Sequence, residues 1–205
     1  MTSWANAPDP IPGGFCAVLL AGGRGSRLDG VDKAGVELEG RTLLEHALDA
    51  LIDAAEVVVV GDQVPTERPV TFVREDPRHG GPVAALLTGV DALLRRPRTL
   101  GVLAVDMPRV DAETFRRLHE AADIGGDRPR DGARLVDPDG RGALAMVLDP
   151  ARLAAVRPSR EAQHGMALRD LLRPLDLAAV PARGEEHRDI DTWRDLRDLR
   201  ERAEG

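Results

Sequence analysis

Short, wholly apolar runs along this chain alternate with longer stretches in which apolar residues recur every three to four positions. That alternation predicts strands separated by helices. Residues 15–20 are apolar at every position, as a strand covered on both faces of a sheet must be. Residues 57–60 are four valines ended by Gly61-Asp62. Runs at 70–73 and 100–105 end in Arg74-Glu75-Asp76-Pro77 and Asp106-Met107-Pro108. A short extended piece at 36–38 and a turn at Glu39-Gly40 lead to the first helical stretch. There Leu43, Leu44, Ala47, Leu48, Leu51 and Ile52 share one helical face, with Thr42 and Glu45 spaced as a capping box. Residues 83–94 form a more uniformly apolar helix with Pro82 at its first position. Residues 111–122 form an amphipathic one with Asp111 as N-cap.

In the later chain, 133–136 and 143–148 read as a hairpin around a turn at 137–140. Residues 150–156 and 166–172 read as helices joined by a polar loop, 176–180 as a last strand and 191–204 as a charged terminal helix. The strand–helix alternation implies an α/β fold of three layers, αβα, with a mostly parallel sheet. In such sheets ligands bind beyond the carboxyl ends of the strands. The glycine-rich loop after the first strand, Asp76, Gly80-Gly81 and Asp106 all follow strands, so they can share one rim.

Composition narrows the picture. The 205 residues suffice for one sizeable domain, expected over 15–205, with 1–14 a flexible leader that lacks the apolar core of a targeting peptide. Aromatic residues are 2% of the chain and tyrosine is absent, which makes the core aliphatic and argues against a platform for stacked bases. A formal net charge of −7 disfavours a general polyanion binder, so no nucleic-acid partner is expected and any phosphate site must be local. Cys16 is the only cysteine, compatible with a reducing compartment. No apolar run approaches membrane-spanning length. A cytoplasmic protein without a membrane partner is the expectation.

The candidate chemistry starts at the loop after the first strand. Glycines at 22, 23 and 25 allow close backbone approach to a ligand, and successive N–H groups in such a turn make an anion-binding concavity. Arg24, Arg27 and Lys33 add positive charge. Lys33 is the only lysine in a chain whose other basic side chains are arginine, so general surface charge does not explain it. Its compact ammonium suits a position between phosphate oxygens. The pattern is neither a Walker loop nor Gly-x-Gly-x-x-Gly.

The segment Leu20-Ala21-Gly22-Gly23-Arg24-Gly25-Ser26-Arg27-Leu28 followed by Asp32-Lys33 resembles the signature of the MobA-like nucleotidyltransferases, of which the molybdenum cofactor guanylyltransferases are the best known. Leu28 stands where the signature has methionine, and Asp29 precedes Gly30. Asp106-Met107-Pro108 is similar to the family's Asp-x-Pro segment, whose aspartate binds magnesium. Asp189-Ile190-Asp191-Thr192 is similar to a late Asp-x-Asp-Thr segment. Alternation puts both carboxylates on one side, although Asp191 also stands where a helix N-cap would. Asp76 matches an aspartate near the nucleotide, and equally suits the turn before Pro77. The chain departs from the guanylyltransferases at Gly61-Asp62, where they carry an asparagine, and at Gly142-Ala143, where they carry a His-Pro or Gln-Pro pair. Of the histidines, only His79 is expected near the rim.

The resemblance implies a nucleotide-diphospho-sugar transferase-like, Rossmann-like fold. It also implies transfer of a nucleoside monophosphate from an NTP, GTP first, to a phosphorylated acceptor, molybdopterin first, with release of pyrophosphate and with Mg2+ as cofactor. Lys33, Arg24, Arg27 and Asp106 are the implied catalytic residues. Leu20, Ala21, Gly22, Gly23, Gly25, Ser26, Lys33, Asp76, Gly81 and Asp106 are the implied nucleotide contacts, and Asp106 and Asp191 the metal ligands. Alternatives are a cytidylyl- or sugar-1-phosphate nucleotidyltransferase, and a nucleotide- or pterin-binding homologue without turnover.

Overall fold

A computed structural model describes residues 14–22 and 31–203 of the chain, the side chains of 202 and 203 excepted. Of the expected features, the leader through residue 13 and the loop residues 23–30 lie outside the described residues. Seven strands form one sheet in the order β5-β4-β1-β6-β8-β7-β9. These strands are β1 (Phe15–Leu20), β4 (Ala54–Val60), β5 (Thr71–Val73), β6 (Thr99–Ala104), β7 (Gly132–Val136), β8 (Gly142–Leu148) and β9 (Leu177–Pro181). All neighbours are parallel except those of β8, which runs antiparallel to β6 and β7. A separate two-stranded ribbon joins β2 (Glu37–Leu38) to β3 (Arg41–Thr42).

The helices are α1 (Leu43–Ala50), α2 (Pro82–Ala92), α3 (Ala112–Ala122), α4 (Pro150–Ala155), α5 (Arg160–Gln163), α6 (Leu168–Leu172) and α7 (Trp193–Ala203). Strand alternation divides the core between two faces. Ala17 and Leu19 of β1, with Val57 and Val59 of β4, pack with α1, α3 and α7. Val18 and Leu20, with Val58 and Val60, pack with α2, α4 and α6. The three-layer αβα architecture with a mostly parallel sheet is thus as expected. Burial, with Glu56 beside it, pushes the Cys16 thiol up to about 11, which marks it as a core residue.

Local signals act as the sequence indicates. Thr42 and Glu45 close a capping box at α1, Asp111 caps α3, and Pro82 opens α2. The polar loop expected between 156 and 166 contains the short helix α5, capped by Ser159. The terminal helix begins at Trp193 because Thr192 and Asp195 bond reciprocally, Asp195 N–H to Thr192 Oγ1 and Thr192 N–H to Asp195 Oδ2.

Register sets the functional edge. Leu20 of β1 pairs with Val60 of β4 and with Ala104 of β6, so three parallel strands end level. β8 runs the other way and starts at this edge, with Ala145 opposite Leu103. β9 also ends here, with Pro181 opposite Val136, and releases the chain into a strap, residues 182–192, that returns to the end of β6.

Candidate active site

Lys33 is placed by a single 3-10 turn, Lys33–Gly35, capped by Asp32, whose carboxylate accepts from Ala34 N–H at 3.1 Å. Ala34 is fully buried in the core, so the turn cannot slide without exposing it. Burial, and then Asp62, hold the Asp32 carboxyl above its ordinary range against the lowering effect of the Ala34 bond.

Asp106 follows β6 directly. Val105 N–H donates to Leu20 C=O at 3.0 Å, and Met107 and Val110 are buried, which fixes the turn carrying Asp106. The strap docks on the same residue: Ile190 N–H donates to Asp106 C=O at 2.9 Å, and the Ile190 side chain is buried. With Ile190 facing inward, Asp189 lines the cleft and Asp191 meets Lys33. The strap is further held by Glu186. Its carboxylate takes Arg117 Nη2 at 2.6 Å, Thr114 Oγ1 at 2.8 Å and Arg183 N–H at 2.7 Å.

These elements converge on Lys33. Its Nζ donates to Asp106 Oδ2 at 2.7 Å and to Asp191 Oδ1 at 2.8 Å. Burial alone would lower the lysine pKa. The bonds to Asp106 and then Asp191, with their charges, prevail and raise it, so the ammonium stays charged at neutral pH. Burial, then Asp191 and Asp106, push the neighbouring Asp189 carboxyl up. Lys33 thus meets more negative charge than one ammonium balances.

A cleft of about 990 Å³ opens at this edge. Asp106 and Asp189 line it, together with Leu20, Gly22, Gly81, Arg74, Arg78 and His79, while Lys33 reaches it through Asp106 and Asp191 through Lys33. Gly81 has φ of +90° and is the N-cap of α2, whose first turn has no side-chain cap. The positive end of that helix is therefore presented to the cleft. Gly61 has a steric role, because a Cβ there would stand 3.1 Å from Ala21 C and 3.2 Å from Gly22 N. The departure from asparagine at this position lets β4 lie against the entry of the glycine loop.

Some expected contacts are placed differently. Ala21 and Gly22 donate their N–H groups to Val60 C=O at 2.9 and 2.8 Å, so these two amides are committed to the sheet. Asp76 does not line the cleft: its carboxylate pairs with Arg160, and its N–H is accepted by Thr88 Oγ1. Gly23, Arg24, Gly25, Ser26 and Arg27 lie outside the described residues. Besides His79, the cleft is lined by His164 and His187, which carry no motif spacing and reach it only through the α5 segment and the strap. Gly142 and Ala143 of β8 also line it, at the position where the sequence departs from the guanylyltransferases.

The donor set fits a hard divalent cation. Asp106 and Asp191 offer carboxylate oxygens with excess negative charge beside a cleft roomy enough for phosphates. A magnesium-type ion takes one or two protein carboxylates and fills its shell with phosphate oxygens and water. Among the described residues no group of three acidic, histidine or cysteine side chains is disposed to hold a metal by itself, so such an ion would share its coordination with a ligand.

Comparison with known proteins places this geometry. Residues 17–180 match the model of the MobA-like NTP transferase domain family. A molybdenum cofactor guanylyltransferase from Acidiphilium cryptum is 38% identical over 128 residues, covering 60% of this chain and 65% of that protein, slightly under two thirds of its length. A probable molybdenum cofactor guanylyltransferase from Opitutus terrae is 33% identical over 193 residues, covering 87% of this chain and 90% of that protein. The crystal structure of molybdopterin-guanine dinucleotide biosynthesis protein A from Archaeoglobus fulgidus superposes with a TM-score of 0.70 at 20% identity, covering 92% of this chain and 98% of that one. This last likeness establishes the fold.

Proposed function

Starting from the premise that the chain belongs to the MobA-like NTP transferase domain family, we propose that it transfers a nucleoside monophosphate from an NTP to a phosphorylated acceptor. GTP is the proposed donor and molybdopterin the proposed acceptor, as the names of the relatives indicate. The observation that carries the reading is the bridge from Lys33 to Asp106 and Asp191 at the level ends of β1 and β6.

In this reading the triphosphate lies at the sheet edge between the glycine loop and the α2 N-terminus. Lys33, with Arg24 and Arg27, binds and neutralises it, and Leu20, Gly22 and Gly81 form the wall against which the nucleoside rests. Gly23, Gly25 and Ser26 belong to the same proposed cradle, and Ala21 leads the chain into it. Asp76 sits at the rim and would have to leave Arg160 to reach the nucleotide. An acceptor phosphate oxygen attacks the α-phosphorus in line. The bond from that phosphorus to the bridging oxygen breaks, and pyrophosphate departs with the electron pair. The attacking oxygen is already anionic, so no general base is required. Catalysis then rests on positioning and charge. Asp106 and Asp191 are the proposed holders of Mg2+, which when bound supplies positive charge to the α-phosphoryl oxygens.

The described residues include no helix long and apolar enough to cross a membrane, and we propose a cytoplasmic enzyme. The test is pyrophosphate release from GTP, CTP and UTP with magnesium and molybdopterin. The expected result is release that requires both the acceptor and GTP. Asp106→Ala is expected to lower kcat by about a thousandfold with the melting temperature retained, because Asp191 still holds Lys33. Turnover unaltered in that variant would contradict the assignment.

A further inference from the structure

The ammonium assigned to the triphosphate stands between the two carboxylates assigned to the metal. Lys33 Nζ lies 2.7 Å from Asp106 Oδ2 and 2.8 Å from Asp191 Oδ1. These contacts put a cation where the two oxygens converge. The Lys33 and Asp106 side chains are only 17% and 20% exposed, so water screens their attraction weakly. A divalent ion sharing these oxygens has to sit against the ammonium, and like charges at that range repel. Among the described residues no group of three acidic, histidine or cysteine side chains is disposed to hold a metal, so the protein alone offers little to outweigh that repulsion.

The backbone at both ends of the bridge is fixed. Ala34 is fully buried, and Val36 N–H donates to Lys33 C=O at 3.1 Å, which holds the turn that carries the lysine. Asp106 is held through Ile190 N–H and the buried Met107. The lysine stem is flexible and its three donors rotate, so Nζ can exchange partners by side-chain rotation while the carboxylates stay in place. A triphosphate carries more negative charge than the two carboxylates together. It also brings the oxygens that complete a magnesium-type shell. One ligand can therefore draw the ammonium away and supply what the metal lacks.

We propose that Lys33 guards the metal seat: with no nucleotide bound, its ammonium keeps Asp106 and Asp191 from a divalent cation, and a triphosphate releases them by taking the ammonium over. This rests on the nucleotidyl-transfer reading and deepens it, adding a control on when the site accepts metal. One substitution then acts in opposite directions on two ligands. Loss of the ammonium strengthens binding of the metal alone and weakens binding of GTP with magnesium.

The experiment uses the full chain with Mn2+ alone as the probe. Mn2+ takes the same oxygen ligands as Mg2+, and its free ion is read by electron paramagnetic resonance. Lys33→Met keeps an unbranched side chain without the charge. In the absence of nucleotide this variant should bind Mn2+ roughly tenfold or more tightly than the wild type, and adding Asp106→Asn should remove the gain. Equal affinities, tighter binding by the wild type, or a gain that survives Asp106→Asn would overturn the proposal. Lys33 is the only lysine, so 13Cε-lysine labelling gives the wild type a single resonance. That signal should stay sharp with Mn2+ alone and shift when GTP is added in EDTA. Broadening by Mn2+ alone, or an unmoved signal with GTP bound, would also overturn it. Calorimetry of GTP with the same wild-type sample reports on the nucleotide reading separately. Absence of binding there would count against that reading, while the Mn2+ comparison still decides whether Lys33 holds metal off.

Discussion

The two halves of the sheet are built on different physics. On the parallel side β1 and β6 are buried at every position, and α2 packs its apolar residues against β1 and β4. On the other side β9 is buried only at Val180, and the strap that follows it is held by a charged cluster, Arg117–Glu186, with Thr114 inside it. Both halves deliver groups to one cleft. The parallel half contributes fixed strand ends and Asp106, and the antiparallel half contributes a segment whose position depends on a few polar bonds. Apolar burial fixes where a site is, whereas directional pairs fix what a returning segment presents to it.

Substitutions can break each half separately. Glu186→Ala should have the largest effect on stability, about 3 kcal/mol by chemical denaturation, because it leaves the mostly buried Arg117 guanidinium without its carboxylate. It should also lower turnover by loosening Asp189 and Asp191. Replacing both partners by apolar residues should recover much of the stability but not the strap contacts. A loss under about 1 kcal/mol for the single variant, the range of exposed pairs, would show that the strap is not held as described.

Gly89→Ala probes the parallel half. The added Cβ would stand 2.4 Å from Val18 Cγ1 and 2.9 Å from Val60 Cγ2, both stiff and buried side chains. Overpacking should cost about 2 kcal/mol, read as a lower denaturation midpoint, with α2 displaced at its C-terminal end and Gly81 less affected. Wild-type stability in this variant would mean that the α2 contact is looser than the apolar account requires.

The smallest effect concerns pH. His119 Nδ1–H donates to Phe115 C=O at 2.8 Å, so the neutral ring accepts at Nε2 from Thr99 Oγ1 at 3.0 Å. Burial holds its pKa below the ordinary 6.5, against smaller raising effects from the Phe115 bond and Asp53. The unfolded chain then takes up a proton that the folded ring resists. The contribution is fully present above pH 6.5 and is lost as pH falls through the lower folded value. His119→Gln should flatten the acid limb of stability against pH, and an unchanged limb would refute this.

Much of this division was readable in the chain itself. Strands buried on both faces leave continuous apolar runs, so β1, β4 and β6 are plain in the sequence, and Asp106 is plain because it ends one of them. The caps at Thr42, Asp111 and Pro82 are local chemistry and are equally plain. Lys33 stands out through its uniqueness and its place in the glycine signature. In the antiparallel half the hairpin and β9 are readable too, but α5 is four residues long and the strap has no periodicity. Asp191 gives an ambiguous signal because Thr192-x-x-Asp195, one residue on, offers the same capping chemistry. His164 and His187 were not singled out because long-range folding alone brings them to the cleft. The pairing of Asp76 with Arg160 joins residues 84 apart, which no local pattern reveals.

The most direct test of the central claim is calorimetric titration of GTP with magnesium into the wild-type protein and into Lys33→Ala. If the single lysine and the strand-end carboxylates form one triphosphate site, the variant should bind at least about tenfold more weakly while its melting temperature still reports a folded chain. Equal affinity in the two proteins would contradict the account.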